Sequence, residues 1–107
     1  MTNQGGEVDA GLATLRNELD AIDGRLLELL RQRLDCCRSI AEYKRRHGIA
    51  MMQPDRVAFV QERAVRYAEA HALDPTFARN LYQMVVTEAC RLEDIIISGT
   101  GEHQRAT

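Results

Sequence analysis

Arg16, Arg33 and Lys44, three cations on one long predicted helix, carry the chain's clearest chemical potential. Leu12, Leu19, Leu26 and Ile40 recur at intervals of seven, with Leu15, Ile22, Leu29 and Cys36 as a companion series. Arg33 fills the slot between Leu26 and Ile40, where a hydrophobe is expected. An unpaired guanidinium at a buried position is costly, so an anion should meet it there. That anion is either a carboxylate of the protein, such as Glu88 or Glu93, or one belonging to a ligand. At about 100° per residue, Arg33 and Lys44 come within about 20° of each other, roughly 16 Å apart along the axis. Long side chains leaning inward from those two positions could grip one small molecule. Arg16 lies about 100° away around the helix and cannot readily join them from the same chain, but in an antiparallel dimer the partner's Arg16 could arrive at that place. Arg56 falls in the first turn of the next helix, where the free amides already favour an anion. Arg16, Arg33, Lys44 and Arg56 together predict a pocket for a compact ligand with more than one carboxylate. Arg supplies a bidentate fork there, and Lys a compact charge. Arg31, Arg38, Arg45, Arg46, Arg63 and Arg66 read instead as solvated-face residues, with acids such as Glu28, Glu42 and Glu62 nearby.

The elements that must position these cations are helices. Gly5-Gly6 closes a polar leader, His47-Gly48 interrupts the first periodic run, and Pro54 and Pro75 each mark a first helical position. Helix 1 is predicted over about residues 9 to 46, and helix 2 from Pro54 to about His71, with Val57, Val60, Ala64 and Tyr67 or Ala68 as its stripe. Helix 3 is predicted from Pro75 to about Ser98, with Asp74 as its N-cap. It carries two stripes, Phe77, Leu81, Val85, Leu92, Ile96 and Tyr82, Val86, Ala89, Glu93, Ile97, which suit the inside of a bundle. No strand alternation is present. The predicted fold is all-α, a three-helix subunit with a long first helix, with a leader at 1–8, a helical domain at 9–98 and a fraying tail at 99–107. A first helix of about 38 residues spans roughly 57 Å, against a diameter of roughly 34 Å for a compact domain of this size. Its apolar repeat continues through the overhang, so an intertwined homodimeric bundle is expected.

Composition narrows the function classes. A chain of 107 residues makes one domain, and a net charge of −2 with interspersed signs gives no bulk attraction to nucleic acid or to a membrane surface. The 3 cysteines, two of them adjacent, make no disulfide framework and read as small buried apolar residues in a reducing, cytoplasmic setting. Met51 and Met52 read as core filler. No apolar run has the length of a membrane span, and no secretory signal pattern is present. The histidines lack metal-ligand spacing, and no phosphate loop or nucleophile elbow occurs, so neither metal nor cofactor is expected.

The run from Leu15-Arg16 through Asp20-Ala21-Ile22-Asp23 and Leu26-Leu27-Glu28-Leu29-Leu30 to Arg33 and Lys44 resembles the all-helical chorismate mutases. So does His71-Ala72-Leu73-Asp74 followed by Leu81-Tyr82-Gln83, and the likeness covers roughly residues 12 to 97. It implies an intertwined dimer of three-helix subunits in which one helix-1 arginine crosses into the partner's site. Arg16 of the partner and Arg33 would then hold the substrate carboxylates. Lys44 would bond the ether oxygen of the enolpyruvyl group and a carboxylate, and Arg56 would shape the pocket near the ring. Glu93 falls where the family has Gln or Glu facing that ether oxygen, and Ala89 where the family has a hydroxyl. A glutamate must be protonated to donate there, so turnover should weaken as pH rises through its titration.

Two departures bear on the substrate. Gln53 replaces the family's loop acid, and Val57 replaces the glutamate that in ordinary chorismate mutases receives the C4 hydroxyl. Isochorismate pyruvate lyases carry a similar Pro-acid-Arg-Val start to helix 2. A further likeness is to the 4-amino-4-deoxychorismate mutases of antibiotic producers. It is carried by Tyr43-Lys44-Arg45-Arg46-His47-Gly48, Met51-Met52-Gln53-Pro54-Asp55-Arg56-Val57, Arg66-Tyr67-Ala68 and Thr87-Glu88-Ala89-Cys90-Arg91-Leu92-Glu93-Asp94. That subgroup implies conversion of aminodeoxychorismate to aminodeoxyprephenate on the way to p-aminophenylalanine. The other readings are a chorismate mutase making prephenate, an isochorismate pyruvate lyase, and a non-catalytic helical dimer acting as an interaction module.

Overall fold

The computed structural model describes residues 3–51 and 53–99, arranged as three helices, α1 (Asn3–His47), α2 (Pro54–Ala70) and α3 (Pro75–Ser98). No strand occurs among the described residues. Met52 and the expected tail beyond Gly99 lie outside them.

The helix starts follow local chemistry. Both prolines sit in the first turn of their helices, where the missing N–H is no loss. Asp74 caps α3 by accepting from the Thr76 amide at 3.4 Å, whereas Gln53 precedes α2 without a side-chain cap. The start of α1 differs from the expectation: it begins at Asn3 rather than near residue 9, and Gly5-Gly6 does not interrupt it. Once nucleated, a helix gains one hydrogen bond per added residue, which offsets the poor propensity of glycine.

Two helices end in the same hydrogen-bonded turn. After α1 the Ile49 amide donates back to the Lys44 carbonyl at 2.9 Å while Gly48 turns left-handed at φ 64°. After α2 the Leu73 amide donates to the Ala68 carbonyl at 3.0 Å, and here Ala72 takes the left-handed conformation at φ 59°. Both are Schellman turns, one with the favoured glycine and one without it. His71 is therefore the cap of α2 rather than its last residue.

The chain divides into two units. The first runs to Leu34 and is helical throughout its described length. Its apolar stripes are predicted to be buried, yet they are open in the single chain, from Leu12 at 43% exposed to Leu15 at 62%. A lone helix has nothing in its own unit against which to bury a stripe. Arg33 accordingly is half-buried rather than enclosed, and Arg16 is exposed.

The second unit, from Asp35, holds the end of α1 with α2 and α3. α2 packs on α3, and the buried residues are Cys37, Ala41, Val60, Ala68, Ala78 and Ala89. Small side chains let the backbones approach closely. Ala68, not the exposed Tyr67, closes the α2 stripe, and Phe77 and Leu81 of the expected α3 stripe stay exposed. The cysteines also separate: Cys37 is buried, Cys90 part-buried and Cys36 exposed. Adjacent helical residues point about 100° apart, so Cys36 and Cys37 cannot share a face.

Candidate active site

Lys44 lies in the last turn of α1, where a cation is favoured by the helix dipole. Its ammonium donates to the Met51 carbonyl at 2.8 Å and to Glu93 Oε1 at 3.2 Å. The two side chains are 14% and 12% exposed, so the pair is shielded from most solvent. One ammonium thus ties three segments together: the end of α1, the link after it, and the C-terminal half of α3. Glu93 is the acceptor in this pair, the opposite sense to the donor role implied by resemblance. An ammonium carries three N–H donors, and the two contacts account for two of them.

The link and the first turn of α2 supply the neighbouring candidates. Gln53 Nε2 donates to the Ala50 carbonyl at 3.1 Å. The Gln53 carbonyl in turn accepts from the Arg56 and Val57 amides at 3.0 and 3.2 Å. The Arg56 guanidinium sits over the Phe59 ring, 5.1 Å from its centroid, and this contact steers the side chain. Val57 is half-buried, and Ala89 is buried on α3 one turn before Glu93. Lys44, Gln53, Arg56, Val57, Ala89 and Glu93 all belong to the second unit, and Arg16 and Arg33 to the first.

The acids weighed as structural partners for Arg33 have other cations beside them. Glu93 holds Lys44, and Glu88 takes the Arg91 guanidinium at 2.8 Å. Arg91 holds the Glu88 carboxyl below the usual carboxylate range, and Arg31 does the same for Glu28. The solvated-face pairs Arg31–Glu28, Arg38–Asp35, Arg45–Glu42 and Arg66–Glu62 all form along single helices. No cluster of His, Cys, Asp and Glu suited to a metal occurs among the described residues, and no described helix is long and apolar enough to cross a membrane.

Two features escape a reading of the sequence. The Met51 carbonyl holds Lys44, where the side chain suggested core filler, and a backbone acceptor leaves no trace in residue type. A cavity of about 350 Å³ between α2 and α3 is lined by Arg63, Tyr67, Leu73, Phe77 and Tyr82, and includes none of the candidate site residues.

The fold is all-helical among the described residues, and an enclosed lysine–glutamate pair joins the end of α1 to α3. The chain belongs to the chorismate mutase type II family, whose pattern matches residues 15–94. It is 54% identical over 87 residues to a 4-amino-4-deoxychorismate mutase of Streptomyces venezuelae, covering 81% of this chain and 84% of that protein. It is 52% identical over 90 residues to a 4-amino-4-deoxychorismate mutase of Streptomyces pristinaespiralis, covering 84% of this chain and 70% of the other. An isochorismate pyruvate lyase of Pseudomonas aeruginosa is 30% identical over 76 residues, covering 71% and 74% respectively.

Proposed function

We propose that this chain is a 4-amino-4-deoxychorismate mutase, an isomerase that converts 4-amino-4-deoxychorismate to 4-amino-4-deoxyprephenate. The carrying observation is the identity above one half to two proteins of that name, across about four-fifths of the chain. The lyase shares far less, at 30% over 76 residues.

The reaction is an intramolecular [3,3] shift. The ether C–O bond breaks as a C–C bond forms, so the electrons stay within one molecule and no external acceptor is needed. Rate comes from holding the near-attack conformer and from donors placed where negative charge grows on the ether oxygen. Lys44 is the first such donor, with one N–H left for the substrate beyond those on Met51 and Glu93. Glu93 is the second once it carries a proton. Arg33, and Arg16 from a partner subunit, would grip the two carboxylates, with Arg56, Val57 and Ala89 shaping the wall around the ring.

This reading includes an intertwined homodimer with shared sites. Its support is the open apolar stripe of the first unit: Leu12, Leu15, Leu19, Ile22, Leu26 and Leu29 are each more than 40% exposed. Covering such side chains contributes roughly 1 kcal/mol each when they start half-exposed. Residues 9–98 would form the catalytic domain, working in the cytoplasm and feeding p-aminophenylalanine and antibiotic biosynthesis.

The test is incubation of the full chain with aminodeoxychorismate, chorismate and isochorismate separately, products being separated by chromatography. Rearrangement of the amino compound at the highest kcat/KM supports the proposal. Turnover confined to chorismate, release of pyruvate from isochorismate, or no turnover at all rejects it.

A further inference from the structure

Lys44 is held at both ends by the link that follows α1. Its carbonyl accepts from the Ile49 amide at 2.9 Å, and its ammonium donates to the Met51 carbonyl at 2.8 Å. The link is closed from its far side as well. Gln53 Nε2 donates to the Ala50 carbonyl at 3.1 Å, and the Gln53 carbonyl accepts from the Arg56 and Val57 amides at the start of α2. A carbonyl only accepts, so the Gln53 atom beside the Ala50 oxygen is the amide nitrogen. The two residues that this bond ties together flank Met51, whose carbonyl holds Lys44.

Gln53 occupies the N-cap of α2, where a short acceptor such as Ser or Asp stabilises a helix by bonding its free amides. Its side chain makes no capping bond and turns back onto the link instead. Helix stability alone does not account for a glutamine here. The position forgoes a cap and supplies the link with a donor.

We infer that Gln53 is a positioning residue for Lys44, its side-chain amide holding the link so that the Met51 carbonyl keeps the ammonium in place for the ether oxygen. The inference rests on the mutase reading above, with Lys44 as a donor, whichever 4-substituent the substrate bears. Lys44 has a flexible four-carbon stem, so loosening its backbone acceptor spreads the ammonium over more positions. The loss falls on kcat, because the grip on the carboxylates belongs to the arginines.

The experiment measures kcat, KM and thermal melts for the full-length wild type, Gln53→Met, Gln53→Ser, Lys44→Met and the Lys44→Met, Gln53→Met double variant. The substrate is whichever of the three compounds the wild type turns over fastest. Gln53→Met and Gln53→Ser should each lower kcat about three- to tenfold, with KM within about twofold of wild type. Gln53→Ser gains a cap and should melt about 5 °C higher, so activity and stability move in opposite directions. Without Lys44 the target is gone, and Gln53→Met should then change kcat by less than about twofold. Full kcat in both Gln53 variants, an equal loss with and without Lys44, or a Tm of Gln53→Ser that falls together with its activity would each overturn the role of Gln53 and leave the mutase reading intact. A wild type that turns over none of the three compounds would remove that reading, and this inference with it.

Discussion

Replacing Lys44 by Met deletes the ammonium and keeps a straight apolar stem. Two contacts go at once, to the Met51 carbonyl at 2.8 Å and to Glu93 at 3.2 Å. At 3.2 Å the gross Coulomb attraction is about 5 kcal/mol for an effective dielectric constant of about 20, and desolvation of both ions cancels much of it. Removing one partner of a pair this enclosed leaves a stranded carboxylate and a stranded carbonyl, with a net cost of about 2 kcal/mol. For a domain of this size that is a fall of roughly 10 °C in Tm. Catalysis should suffer more. Loss of a donor aimed at the oxygen that gains charge lowers kcat by about 10²–10³. The assay is loss of the substrate's cyclohexadiene absorbance, followed well below the variant's melting temperature, with circular dichroism confirming helicity. If Lys44→Met melts early yet keeps more than a tenth of the wild-type rate, Lys44 is a structural tie, and the assignment of the ether oxygen to it is wrong.

Other consequences can be checked alongside. Glu93→Gln can still accept from Lys44 through its amide carbonyl and can donate without titrating. Turnover by the variant should therefore stay within about tenfold of wild type, and a larger loss would remove Glu93 as a donor that an amide can replace. Ala72→Gly should raise Tm, because Ala72 is left-handed where glycine is favoured, while Gly48→Ala should lower it, each by about 1 kcal/mol of stability in thermal melts. A shift in the same direction for both would contradict the two-turn comparison. In a dimer whose sites draw arginines from both subunits, a dicarboxylate mimic at about 100 times its Kd should tighten the subunit equilibrium about 100-fold per site. Sedimentation with and without the mimic reads this, and an unchanged dimer constant would place each site within one subunit.

Much of the architecture is legible because helix boundaries are written in local chemistry. Proline at Pro54 and Pro75 and the carboxylate of Asp74 act on backbone groups within a turn of themselves, so residue type and place suffice to find them. Propagation is different. Nothing at Gly5-Gly6 forbids another turn, so α1 reaches Asn3 through a sequence that reads as a leader. The interior is less legible still. The apolar period marks which face turns inward, but the residues buried in this chain are mainly alanines, chosen for what they let approach rather than for the area they hide. Phe77 and Leu81 satisfy the period and remain exposed. They line the cavity between α2 and α3 rather than a packed core.

The candidate site divides along the same line. Lys44 and Glu93 are separated by two loops and two changes of chain direction, and spacing along the sequence carries no information about their meeting. Helical spacing pointed to Lys44 and family resemblance to the role of Glu93, and the fold supplied the 3.2 Å between them. What neither residue type nor resemblance reveals is the reason Lys44 stays put. A flexible four-carbon stem would sample many rotamers, but one backbone carbonyl and one carboxylate select among them before any ligand arrives. The Schellman turn at Gly48 aims the link so that Met51 can offer that carbonyl. A catalyst of a pericyclic step has no bond of its own to make, so its contribution is measured by how much positioning is complete before the substrate enters. On that measure Gly48 and Met51 act through Lys44, and a link lengthened by one glycine after Gly48 should lower kcat without altering any residue that touches the substrate.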